Sequence, residues 1–330
     1  MLRRFKRKKG VGADAVEDLF EIAFSRRWDE ASTARLRDDV ARADRMGMRP
    51  DVFGKAGDSN LAAYNSLYGL GCREPEWDGF GSLEETMLRY RKVELPPGHG
   101  PAGQAPPAGE RTPWNSFSRC SGAARSGIVA DQILLPSGKY DGPDSPTTWR
   151  RDPDCPPDQS MLEYEIDLIR PRFVFVNFGT NGASYGMTAE QTAEDAARVI
   201  REIKRLGPVP VVFTIPVQHD RGDKQGRWVF AKEASEWIRR VAEREGVPLF
   251  DQWSVLADDR LLNNGMIEYD QGVFDGFHLE TPGGFRAPDA LQRSVDFRPE
   301  ALLYGAPLRN LLLLRTLAAL DSGAVGPAAG

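Results

Sequence analysis

The sequence predicts an α/β fold built on a parallel, doubly wound sheet, and three observations carry that prediction. "RFVFVNF" (172–178) is a continuous apolar run, as a strand buried on both faces requires. This run, "VPVVFTIPV" (209–217) and "VPLFDQW" (247–253) alternate with the helical segments "TAEQTAEDAARVIREIKRLG" and "FAKEASEWIRRVAEREG". Strands that alternate with helices pair in parallel through right-handed crossovers. Finally, "GDSN", "GTNG" and "PVQHDRG" all follow apolar runs. The carboxyl ends of parallel strands are where such sheets place their sites.

Taken in order, the chain opens with a basic stretch, "MLRRFKRKKG", holding six Lys or Arg residues. It reads as a solvated tail. Helices follow over about 13–26 and 30–46, the second with apolar residues at helical spacing among charges. "RPDVF" reads as a short strand that ends in the polar turn "GKAGDSNLA". Residues 72–113 read as irregular, because "ELPPGHGPAGQAPPAGE" is too rich in Pro and Gly for regular structure. A second loop insertion spans 136–160. Loops of this length serve a site or are disordered. "SGIVADQIL" reads as a turn leading into an apolar helix. Thr188 and Gln191 form a capping box, and Gly207 stops the helix that it starts. The domain plan is therefore a tail with two helices over 1–48, a main domain over 49–320 and a flexible end over 321–330. No internal repeat is visible.

Composition narrows the function. With 41% hydrophobic and 28% charged residues, the balance is globular. The net charge of -5 and a pI of about 5.5 argue against broad nucleic-acid binding, which needs a positive surface. No segment approaches a membrane span. No apolar core follows the basic start, so no signal peptide is read. The expected location is cytoplasmic as the sequence stands, and secreted or periplasmic if a leader lies upstream. Cys72, Cys120 and Cys155 form no C-x-x-C pair, so a zinc site is poorly supported. Cys72 and Cys155 lie in loop-like sequence, where an oxidising compartment would allow them to pair.

The chemistry-bearing residues suggest nucleophilic catalysis. A serine nucleophile needs a base, a group that orients the base, and donors for an oxyanion. The chain has three histidines. His99 lies in the Pro/Gly-rich loop. His219 follows a strand, with Asp220 beside it. His278 lies in "FDGFHLE", with Asp275 three residues earlier, where one helical turn brings the two side chains together. For the nucleophile, Ser59 of "GDSN" competes with Ser184 of "GASYG" (182–186), which fits the G-x-S-x-G elbow. That elbow turns straight off its strand, whereas "GTN" intervenes here, so Ser59 is preferred.

In this order and rough spacing, "GDSN", "GTNG" and "DGFH" resemble the motifs of the SGNH or GDSL hydrolases. The resemblance spans residues 51 to about 280. It implies a flavodoxin-like three-layer α/β/α sandwich with a central parallel sheet. It also implies an enzyme that cleaves esters of lipids, acetylated sugars or small acyl groups without metal or cofactor. It assigns Ser59 as nucleophile, Asp275 and His278 as orienting acid and base, and Ser59, Gly127 and Asn181 as the oxyanion hole. For the oxyanion glycine, "RCSGAARSGIVADQIL" offers both Gly122 and Gly127; Gly127 is preferred because a turn there aims a backbone N–H at the strand ends. The chain departs from the pattern in three places. Asn60 replaces a leucine, a change expected to matter little. Gly182 replaces an aspartate, which is expected to loosen the loop holding Asn181. "HLE" replaces a common His-Pro. The expected activity is a serine esterase for short acyl or acetylated carbohydrate esters. Acyl transfer at the same site is the near alternative, and a non-catalytic binding module is the distant one. Trp149, Trp228 and Trp253 are candidates for the site's surroundings, although tryptophan more commonly packs in cores.

Overall fold

The computed structural model describes residues 10–24, 29–63, 65–98, 114–140, 152–218, 226–258, 261, 278–284 and 289–323. Helices α1 (Ala13–Ala23) and α2 (Glu30–Arg45) lead into strand β1 (Arg49–Gly57). The Asp29 carboxylate caps α2 by accepting from the Ser32 N–H at 2.7 Å, and Arg42 and Arg45 lie in its last turn. Both ends therefore complement the helix dipole.

β1 runs four residues further than the sequence suggested. "GKAG" is strand, not turn. A Cβ on Gly57 would lie 2.6 Å from the Asn177 carbonyl oxygen, so glycine is what lets the neighbouring strand come this close. Lys55 stays in the strand by burying its stem and donating from Nζ to the Phe117 carbonyl at 2.9 Å. After β1 come the short helices α3 (Ser59–Ala62) and α4 (Tyr68–Cys72), then α5 (Glu84–Arg91). The reading of 72–113 as irregular is corrected by α5. Glu84 and Glu85 in its first turn and Arg89 and Arg91 in its last were the available signal.

Helix α6 (Met161–Ile169) starts on a Ser160–Glu163 capping box and feeds β2 (Pro171–Asn177). α7 (Ala189–Leu206) carries the expected Thr188–Gln191 box and ends at Gly207, whose φ is 124°. β3 (Val209–Phe213) is shorter than the apolar run that contains it. α8 (Arg227–Glu245) leads to β4, only Leu249–Phe250, because Asp251 at once caps α9 (Gln252–Leu256). The segment expected to be an apolar helix after Gly127 is a 3-10 turn over Ala130–Leu134. The chain closes with α10 (Ala290–Arg293) and α11 (Gly305–Ser322).

The four strands are parallel in the order β1-β2-β3-β4. A single parallel bridge, Gly57 with Ala124, adds a short fifth position outside β1. It is made by the Gly57 N–H donating to Ala123 O and the Arg125 N–H donating to Gly57 O. Counting that edge gives the order 2-1-3-4-5, the flavodoxin-like arrangement, with its switch point beside β1. α6, α7 and α8 pack together on one face of the sheet; α2 and α5 cover the other, where α11 packs on α5 and α1. The sheet is thus the middle of three layers. Phe53, Phe175, Phe213 and Phe250, one from each strand, form a row with ring centroids 5.0, 5.4 and 5.1 Å apart. Such pairs add about 0.5–1.5 kcal/mol each beyond the area they bury.

Candidate active site

The switch point is where β1 ends and the loop after β2 begins. β1 delivers Asp58 and Ser59 at its carboxyl end. Asp58 is extended (φ -90°, ψ -163°) and caps α3, and its N–H donates to the Asn177 carbonyl at 2.9 Å. Its carboxylate accepts from the Asn60 N–H at 3.0 Å and, through Oδ2, from the Thr180 N–H at 3.1 Å. Ser59 is the first residue of α3 and is 5% exposed. Thr180 Oγ1 accepts from Asn60 Nδ2 at 3.0 Å. The turn that carries Ser59 and the loop that carries Asn181 are therefore joined by two hydrogen bonds, Thr180 N–H to Asp58 and Asn60 Nδ2 to Thr180. Asn60 was expected to matter little, yet its amide makes one of the two. A leucine there could not bond Thr180.

Beneath this turn lies an arginine that sequence reasoning missed. Arg309 of α11 is 2% exposed and donates from Nη1 to the Asn60 carbonyl at 2.7 Å. Burial pushes its guanidinium down to about 9, opposed by the charge of Asp58. Burial likewise pushes the Asp58 carboxyl up, opposed by the hydrogen bonds from Asn60 and Thr180 and by the charge of His278. Its neighbour Asn310 accepts from the Leu67 N–H at 2.9 Å and donates to the Asn65 carbonyl at 3.0 Å. An Arg-Asn pair in the otherwise apolar run "PLRNLLLL" was the legible signal, because buried polar side chains must be hydrogen-bonded.

His278 is half-buried, and it is near enough for its charge to act on Asp58. The next residue, Leu279, accepts from Asn65 Nδ2 at 2.7 Å, and Glu280 accepts from the Ala306 N–H at 3.0 Å. These bonds tie the histidine's segment to the chain just past Ser59 and to the start of α11. Asp275, His219, His99 and Trp149 lie outside the described residues.

The edge segment delivers the two glycine candidates, and they differ sharply. Gly122 is buried; its N–H donates to Glu165 Oε2 at 3.2 Å and its carbonyl accepts from Arg125 Nε at 2.7 Å. Glu165 also pairs with the buried Arg119. Gly127 is exposed and left-handed, with φ 75°. Its carbonyl accepts from the Tyr185 hydroxyl at 2.9 Å, and the next carbonyl, of Ile128, accepts from Asn181 Nδ2 at 3.0 Å.

Gly182 does not loosen this loop. A Cβ there would lie 2.5 Å from Thr192 Oγ1 and 2.9 Å from the Phe230 ring, so the glycine is what allows close packing on α7 and α8. Ser184 is exposed in the 3-10 turn Gly182–Tyr185, and its hydroxyl accepts from Arg227 Nη2 at 2.7 Å. It tethers the loop to α8. Trp228 and Trp253 meet edge-to-face at 5.2 Å, with Trp253 in the core. Cys72, Cys120 and Cys155 are all thiols. Among the described residues no cluster of three His, Cys, Asp or Glu side chains is placed to hold a metal ion, and no helix is long and apolar enough to cross a membrane.

Comparison with known proteins bears on this arrangement. Residues 144–283 match the model of the GDSL-like Lipase/Acylhydrolase family. That stretch includes Asn181, Asp275 and His278 and begins after Ser59 and Gly127. No curated protein matches the chain. Among solved structures, the chain is similar to a lipase/acylhydrolase from Enterococcus faecalis, at 17% identity over 80% of this chain and 94% of that one, with a TM-score of 0.41. It is similar to a GDSL-like lipase from Bacteroides thetaiotaomicron, at 9% identity over 87% and 98%, with a TM-score of 0.38. It is also similar to an acetyl xylan esterase, at 14% identity over 81% and 98%, with a TM-score of 0.37.

Proposed function

We propose that this chain is an ester-hydrolysing enzyme of the GDSL-like lipase/acylhydrolase kind, a reading that the family match over residues 144–283 supports, and that it acts through an acyl-enzyme on Ser59. The observation that carries the reading is the cross-link between the Ser59 turn and the Asn181 loop through Asp58, Asn60 and Thr180. It supports a reading in which the buried Ser59 and the Asn181 amide act together at the switch point.

In this reading His278 takes the Ser59 proton as the hydroxyl attacks the ester carbonyl, and Asp275 orients the imidazole. A serine hydroxyl is a weak nucleophile until a base does this. The tetrahedral oxyanion forms against the N–H groups of Ser59 and Gly127 and the Asn181 amide. Gly127 fits the role better than Gly122, whose N–H is already spent on Glu165. Asn181 Nδ2 carries two hydrogens. One is bonded to Ile128 O, which fixes the amide plane and leaves the other to meet the oxyanion. His278 then returns its proton to the leaving alcohol, and water repeats the sequence to release the acid.

The proposed substrates carry short acyl groups, acetyl before longer chains. The loops over 96–109 and 136–159 are polar and proline-rich, and no long apolar lid segment appears in the sequence. A p-nitrophenyl ester series from C2 to C12 tests this. The expected kcat/KM falls as the chain lengthens. Faster turnover at C8 or beyond contradicts the short-acyl assignment.

A further inference from the structure

The "GASYG" loop has no part in the reaction described so far, yet its tyrosine reaches the oxyanion glycine. Tyr185 ends the 3-10 turn that starts from Asn181, and the Ser184 N–H donates to the Asn181 carbonyl at 2.8 Å. Asn181 and Tyr185 thus stand four residues apart on one short, hydrogen-bonded turn. Their side chains reach adjacent carbonyls on the facing segment, Ile128 and Gly127.

Gly127 needs this restraint. Its φ of 75° is open to glycine and costly for other residues. A Cβ built on it would meet nothing within 4 Å, so no side-chain packing at that position restrains it. The Tyr185 hydroxyl is the group that holds its carbonyl side. The tyrosine itself is anchored: its backbone N–H donates to Asn181 O at 3.3 Å, and Ser184 beside it is tied to Arg227 of α8. The residue is 48% exposed, so it adds little to the core.

We propose that Tyr185 is a positioning residue for ester hydrolysis, its hydroxyl holding Gly127 so that the backbone N–H meets the developing oxyanion. The inference rests on the acyl-enzyme reading given above. It also explains how the chain works without an aspartate after Asn181: Gly182 packs the loop tightly, and Tyr185 supplies the link to the oxyanion glycine. Preorganised donors act by being in place before charge develops, so loosening one reduces kcat rather than substrate binding.

Tyr185→Phe removes only the hydroxyl and is the test. It is assayed with p-nitrophenyl acetate and with a fluorophosphonate, whose reaction develops a charged oxygen at the same place. The expected result is a fall in kcat of about tenfold, the scale of one lost hydrogen bond, with KM within about twofold. Fluorophosphonate inactivation slows by a similar factor, and the thermal midpoint is unchanged. Wild-type kcat in Tyr185→Phe overturns the proposal. So does an effect on KM alone, which makes Tyr185 a substrate contact, or a loss of kcat matched by a lowered thermal midpoint, which makes it a structural residue. Ser59→Ala, run beside it, separates the two levels. If Ser59→Ala is inactive and Tyr185→Phe is normal, only the positioning role falls. If Ser59→Ala keeps its activity, the acyl-enzyme reading falls and the role of Tyr185 falls with it.

Discussion

The turns that carry Ser59 and Gly127 stand at the ends of neighbouring positions in the sheet, and they are held by opposite means. The Ser59 turn is set into the core. A carboxylate caps it, a buried guanidinium bonds its backbone, and Gly57 leaves no space for even a methyl group against the next strand. The Gly127 turn lies on the surface, with open space around its Cα, and side-chain hydrogen bonds from one facing loop secure it. The difference fits the two tasks proposed for these turns. A nucleophile must stand at a fixed distance from its base, and packing fixes distance. An oxyanion donor has to face a ligand from the surface, where few groups are available to hold it. Surface loops on a rigid scaffold are where binding groups generally sit.

Four changes would break or sharpen this contrast. The largest concerns the proposed base. His278→Ala is expected to cost about 10⁴-fold or more in kcat, whereas His219→Ala costs at most a modest factor. Asp275→Asn should fall between them. Steady-state kinetics on the three variants decides the assignment, and a reversed order of the two histidines contradicts it.

The core-held turn should then fail by unfolding. Arg309→Met keeps the apolar stem and removes the guanidinium that donates to the Asn60 carbonyl. Losing a buried hydrogen bond that involves a charged group typically costs about 1.5–3 kcal/mol. Urea denaturation of Arg309→Met should show a loss of that order, and wild-type stability would show that the turn is held by packing alone. The surface-held side should fail by chemistry instead. Asn181→Ala is expected to lower kcat by ~10²–10³ with little change in KM. A change mainly in KM would move Asn181 from the oxyanion to ground-state binding.

Lys55 gives a pH signature. Burial pushes its ammonium down to about 8 from the ordinary 10.5. Between these values the folded chain has lost the proton and the unfolded chain keeps it. The unfolded state binds more protons there, so stability rises with pH across that window. The gain is about 3 kcal/mol, the free-energy equivalent of that separation. Below pH 8 the cost of burying the charge is present in full. Lys55→Met should flatten this rise in stability between pH 8 and 10.5; an unchanged slope would mean that Lys55 is not its source.

Much of this was legible in the sequence, and the exceptions have physical causes. The strands at 172–178 and 209–217 and the helix between them are nearly as read, because buried strands and capped helices carry local signals. β1 was read short because "GKAG" contains two glycines and a lysine. Nothing in those four letters reveals that Asn177 approaches Gly57, or that Phe117 accepts from Lys55. The fifth strand position, at 123–125, is one bridge long and has no periodicity to detect. Asp58 and Ser59 fall where the motif put them, at the end of β1. The supporting residues Arg309, Asn310, Thr180 and Tyr185 were not read, because their roles depend on contacts between segments up to 249 residues apart. Gly122 and Gly127 look alike in sequence. Only the partner that each N–H and C=O finds tells them apart.

The central claim is that the serine at the end of β1, in the core-held turn, is the one acylated. Treating the protein with a fluorophosphonate, digesting it and locating the modified residue by mass spectrometry tests this most directly. The account predicts one modification, on Ser59, lost in Ser59→Ala and retained in Ser184→Ala. A modification on Ser184, persisting in Ser59→Ala, would contradict it.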